Sequence, residues 1–117
     1  RDPKTKVGVT GFCMGGALSL EAAAAYPFDA CVPFYGIGSG FDATKITAKV
    51  MGHFASHDDW CTPSRVDALE TKMKAATFHR YVANHAFFND TRPDVYSAPD
   101  AKLAWTRTIA FLKEALA

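Results

Sequence analysis

Lys6-Val7-Gly8-Val9-Thr10-Gly11-Phe12-Cys13-Met14-Gly15-Gly16-Ala17-Leu18 is the stretch on which the reading of this chain turns. Residues 7–12 carry β-branched and aromatic side chains of strand type, whereas residues 17–25, Ala-Leu-Ser-Leu-Glu-Ala-Ala-Ala-Ala, form one of the best helix-forming runs in the chain. Cys13 stands at the joint, flanked by Gly11 and Gly15. A strand, a sharp turn and a helix with a nucleophile at the turn require small residues two before and two after it, because the turn folds both flanks against the nucleophile. Such a turn brings the Cys13 sulfur to a helix N-terminus, the setting that activates a thiol, and presents the Met14 N–H to a developing oxyanion. Burial of a small thiol would not by itself call for two flanking glycines. No Gly-Lys-Ser/Thr follows, so a phosphate-binding loop has little support.

The rest of the chain alternates in the same manner. Tyr26-Pro27 stops the first helix, because a residue before proline is pushed out of the helical region. Residues 30–36 read as a short buried strand interrupted by Pro33, and residues 36–40 as a Gly-rich loop. A third strand is expected over 48–55, with the loop Ser56-His57-Asp58-Asp59-Trp60 at its end. Thr62-Pro63 opens a helix in which Val66, Leu69 and Met73 share a face. A fourth strand spans 77–82 and a polar, aromatic loop spans 83–98. The last helix carries Trp105, Ile109, Leu112 and Leu116 on one stripe, with Ser97 and Asp100 resembling a capping box. This order predicts an α/β fold, a parallel sheet with flanking helices, with its chemistry at the carboxyl edge of the strands.

Composition bounds the function. The 117 residues make one domain, 1–117, with 49% hydrophobic and 21% charged residues and a net charge of +1, so no acidic or basic partner is singled out. The absence of a basic stripe argues against nucleic acid, and the Ala-rich helix is too short to cross a membrane. Three scattered cysteines, Cys13, Cys31 and Cys61, suggest neither a disulfide framework nor a metal site and fit a reducing cytoplasm. No cofactor is expected. Residues 1–5 read as the tail of an incoming loop, which suggests a fragment.

In an α/β hydrolase the nucleophile, the acid and the histidine follow in that order, each after a strand. Cys13, then Asp58-Asp59, then His85 satisfy it. His85 would act as general base and then acid, oriented by one of the two aspartates. The other histidines read as packed, for His53 and His79, or as a bystander, for His57.

Three segments carry a family likeness: Gly11-Phe12-Cys13-Met14-Gly15-Gly16, residues 53–60, and Tyr81-Val82-Ala83-Asn84-His85-Ala86-Phe87-Phe88-Asn89, followed by Tyr96 and the Ala101 to Trp105 helix. Together they resemble the dienelactone hydrolase family over nearly the whole chain. The resemblance implies the C-terminal portion of an α/β-hydrolase fold and a Cys-His-Asp triad acting on a small-molecule ester or lactone. Cys61 looks inserted relative to the family pattern, leaving Asp58 favoured and Asp59 the alternative acid. The resemblance also implies early strands, a second oxyanion amide and further substrate-binding side chains that this sequence does not contain. Two other readings follow from the residues alone. One is a non-catalytic fragment with an unpaired sheet edge; the other is a redox-sensing thiol at Cys13.

Overall fold

The computed structural model of the chain describes residues 5–117, so the expectation for the incoming loop falls almost wholly outside the described residues. Four strands form one parallel sheet in the order β1 (Gly8–Phe12), β2 (Ala30–Phe34), β3 (Lys49–His57), β4 (Thr77–Asn84). Helices α1 (Met14–Ala25) and α2 (Pro63–Lys72) alternate with the strands, and α3 (Ala98–Ala115) ends the fold. This is the parallel α/β architecture the alternation predicts.

Side chains alternate across a strand, so the sheet supports two cores. Leu20 and Ala23 of α1 and Val66 and Leu69 of α2 meet Cys31, Val50 and Phe54 on one face. Ala104 of α3 meets Val32, Phe34, Ala55 and Tyr81 on the other. All five residues of β2 are buried, as expected for an interior parallel strand covered on both sides. Pro33 is tolerated there because the β1–β2 register runs unbroken while the β2–β3 pairing lapses between Cys31 and Phe34. A residue with no N–H costs least where the ladder is already interrupted.

Three local expectations are corrected. Trp105 does not share the buried stripe of α3: it is 53% exposed, and the inward residues are Ala101, Ala104, Thr108 and Ala115. Small side chains let the helix approach the sheet closely, and this rotates the large indole outward. The Ser97 side chain caps no backbone amide of α3; its Oγ donates instead to Asp100 Oδ2 at 2.7 Å. The segment after β2 is no loose loop at its start, since Gly36 and Ile37 are buried. Thr62, by contrast, accepts from Arg65 N ahead of Pro63, as the capping pattern predicts.

Candidate active site

The register of the sheet determines which residues emerge side by side. Phe12 and Phe34 are Cα partners at the ends of β1 and β2, so the next residues, Cys13 and Tyr35, leave the sheet as neighbours. His57 and Asn84 are partners at the ends of β3 and β4, so Asp58 and His85 leave it together. Between the pairs Ala55↔Tyr81 and His57↔Asn84, β4 advances three residues while β3 advances two. Without that extra residue, Asn84 rather than His85 would stand beside Asp58. A bulge here re-aims one side chain, a recurrent use of the device near functional sites.

Cys13 adopts φ 58° and ψ −122° immediately before α1. Its N–H donates to Phe34 O at 3.0 Å, and its own carbonyl accepts from Gly16 N–H and Ala17 N–H. The turn is tight enough that a Cβ on Gly11 would overlap the Gly15 carbonyl, one on Gly16 would overlap the Phe34 carbonyl, and one on Gly36 would overlap the Cys13 carbonyl. Gly15 differs from its expected part: a Cβ there meets nothing within 4 Å among the described residues. The crowding that demands glycine is carried by Gly11, Gly16 and Gly36. Met14 opens α1, and its N–H has no hydrogen-bond partner among the described residues, as the first turn of a helix leaves it.

Cys13 Sγ lies 3.0 Å from His85 Nε2, and His85 Nδ1 lies 2.5 Å from Asp58 Oδ2. The Asp58 side chain is fully buried and the His85 side chain is 23% exposed. Asp58 Oδ1 accepts the N–H groups of Trp60 at 2.9 Å and Cys61 at 2.7 Å, which locks the carboxylate in a turn with Oδ2 left for the histidine. A carboxylate accepts only, so Nδ1 carries the proton and Nε2 presents its lone pair to the sulfur. Asp59 is exposed and does not meet His85. His57 is also exposed, whereas His53 is fully buried between Tyr81 OH at 2.8 Å and Thr108 Oγ1 at 2.9 Å, a core histidine with both nitrogens satisfied.

Sequence reasoning missed the aromatic frame. Tyr35 meets the His85 ring edge-on at 5.0 Å and Trp60 meets it edge-on at 5.4 Å, holding the imidazole between them. Burial, with the nearby Cys13 adding to it, pushes the Tyr35 phenol up to about 12, so it stays neutral beside the sulfur. Burial first and Asp58 second push the Cys61 thiol up to about 12 as well. Cys13, Tyr35 and Ala86 are the non-glycine residues with positive φ among those described, and all three line one cavity of about 490 Å³. Strain concentrated in one place is a mark of a functional site. Tyr35 could have been found from its position after a strand end; Ala86 left no sequence signal. Among the described residues no group of three or more His, Cys, Asp or Glu could hold a metal ion. None of the described helices is long and apolar enough to cross a membrane.

A parallel sheet with a strained strand-to-helix turn at its carboxyl edge defines an α/β-hydrolase fold. The family model for the dienelactone hydrolase family matches residues 1–116, and the chain belongs to that family. It is 37% identical to Protein usf of Aquifex pyrophilus, covering 95% of this chain and 52% of that protein. Carboxymethylenebutenolidase of Pseudomonas sp. strain P51 is 30% identical over 92% of this chain and 47% of its own length. A solved structure of a dienelactone hydrolase-like promiscuous phosphotriesterase from metagenomic libraries superposes with a TM-score of 0.80, covering 97% of this chain and 54% of that one, and at 24% identity the likeness is one of fold. The chain thus spans about half the length of these two relatives.

Proposed function

We propose that this chain carries the nucleophile, base and acid of a hydrolase acting on carboxylic ester or lactone bonds of a small molecule. The observation that carries the reading is the continuous line from Cys13 Sγ through the His85 ring to Asp58 Oδ2, at 3.0 and 2.5 Å. Membership of the dienelactone hydrolase family and the name of the Pseudomonas relative support a lactone or ester. A reducing cytoplasm suits its free thiols.

In the proposed reaction His85 Nε2 takes the Cys13 proton as the sulfur attacks the carbonyl carbon, and the carbonyl electron pair moves onto oxygen, where the Met14 N–H holds it. The intermediate collapses by breaking the carbon–oxygen bond, and His85 delivers the proton to the leaving alkoxide. Water, deprotonated by His85, then cleaves the thioester and returns the thiol. Asp58 keeps the imidazole in the required tautomer and stabilises its charged form. Asp59, the alternative acid, has no contact with His85.

The redox-thiol reading draws no support from the surroundings of Cys13. A resolving thiol must ionise, and burial holds Cys31 at about 11 and Cys61 at about 12. The test is turnover of an aryl ester or a lactone by the full-length protein. Cys13→Ala should abolish most of it, and unchanged turnover in that variant sinks the assignment.

A further inference from the structure

The cavity that Cys13 lines has a definite chemical character; the inference drawn from it deepens the proposed function and rests on it. The cavity walls include Phe12 and Phe88, stacked at 5.3 Å and 22°, and Tyr35, whose ring is tilted against Phe12 at 6.4 Å. Phe88 is backed in turn by Trp105 at 6.2 Å. Asn89 and Asp90 also line the cavity, and none of the described lining residues is a lysine or arginine. Asp90 forms no ion pair with a described residue. Of the nearby cations, Arg92 faces Asp94 at 3.6 Å, and Lys102 lines an adjoining cavity that Phe88 and Asp90 also line, without an ion pair to Asp90.

Asn89 is oriented by its own turn. Its Oδ1 accepts Thr91 N–H at 3.1 Å and the Thr91 hydroxyl at 2.6 Å, which commits the oxygen and leaves the Nδ2 hydrogens without a partner among the described residues. The lining therefore offers one neutral donor and one negative charge.

We propose that this cavity selects uncharged substrates carrying an aromatic or flat apolar group, and that Asp90 disfavours substrates bearing a carboxylate. The flat group fits the cavity that Phe12, Tyr35 and Phe88 line, where stacking and edge-to-face contacts reward aromatic shape. A neutral oxygen on the substrate can accept from Asn89 Nδ2. A carboxylate entering the same space meets aromatic faces, which carry negative potential, and the negative charge of Asp90, and it gives up hydration to do so. On this proposal the chain's substrate differs in charge from a lactone with a carboxymethylene group, the kind of substrate for which the Pseudomonas relative is named.

The test compares phenyl acetate with 4-carboxyphenyl acetate in the full-length protein at low salt. The neutral ester should be preferred at least about tenfold in kcat/KM, chiefly through KM. Asp90→Asn should raise kcat/KM for the carboxylate ester about three- to tenfold and so narrow the ratio, and added salt should narrow it in the wild type. Equal or better use of the carboxylate ester, or a ratio that Asp90→Asn does not move, overturns the proposal. Equilibrium binding of the same two esters to the Cys13→Ala variant, followed by tryptophan fluorescence, reads selection apart from chemistry. Tighter binding of the neutral ester without any turnover in the wild type would keep the proposal and discard the hydrolase reading. Cys13-dependent turnover that favours the carboxylate would do the reverse.

Discussion

Gly36 lies so close against Cys13 that a Cβ on the glycine would overlap the Cys13 carbonyl oxygen and crowd the Ala17 amide. That oxygen accepts the first two hydrogen bonds of α1, so the contact braces the strained turn and the helix start at once. Gly36→Ala is expected to cost about 1–3 kcal/mol, the range for overpacking a site that cannot yield. Gly15→Ala, with open space at its Cβ, should stay within about 1 kcal/mol of wild type. Urea unfolding of the two variants checks this; equal losses would show that the crowding at Gly36 is not what braces the turn.

Asp58→Asn should lower kcat/KM by about 10²–10⁴ while the fold persists, since the amide nitrogen would face Nδ1–H and favour the wrong tautomer; the upper figure is the known loss in serine proteases. Asp59 is exposed, and Asp59→Asn should change stability by no more than about 0.5 kcal/mol and leave turnover intact. Kinetics in which Asp59→Asn is the more damaging change would reverse the two assignments.

His53 makes the fold sensitive to acid. Burial, with His79 and Arg107 nearby, holds its imidazole at about 3 against an ordinary 6.5. Arg107 donates to Tyr81 OH at 3.2 Å, so the Tyr81 hydroxyl is free to donate to His53 Nδ1 while His53 Nε2–H donates to Thr108 Oγ1. Between pH 6.5 and 3 the unfolded chain binds a proton here that the folded chain refuses, so stability rises with pH across that window and falls as pH drops through it. The slope from this group is at most about 1.4 kcal/mol per pH unit. His53→Gln should be less stable at pH 7 yet show a shallower dependence between pH 6.5 and 5 in denaturant titrations. An unchanged slope would remove His53 as the cause.

Arg65 ties two of the loops at the carboxyl edge, donating through Nη2 to Ile37 O at 2.6 Å and through Nη1 to Trp60 O at 3.2 Å. Arg65→Met keeps the aliphatic stem but loses both charged hydrogen bonds, and about 1–2 kcal/mol of stability should go with them. Arg65→Lys should restore only part, because one ammonium cannot match a fork that reaches two carbonyls. Thermal or denaturant melts of the pair decide it, and full restoration by lysine would show that charge alone suffices.

What the sequence determined by itself is local. The alternation of β-branched runs with helix formers, the glycines around Cys13 and the proline signals at residues 27 and 63 act through neighbouring backbone, so the parallel α/β order and the turn at Cys13 were legible without coordinates. Chain order alone nominated His85 and left two adjacent aspartates equivalent in type. Tertiary structure separated them, because register is a relation between strands: the extra residue in β4 sets His85 beside Asp58, and the turn through Trp60 and Cys61 aims Oδ2 at it. The outward Trp105, the aromatic frame around His85 and the open space at Gly15 likewise depend on how closely α3 and the strand-end loops approach the sheet. Such approach distances are set by packing between residues far apart in the chain, and no window of neighbouring residues contains them.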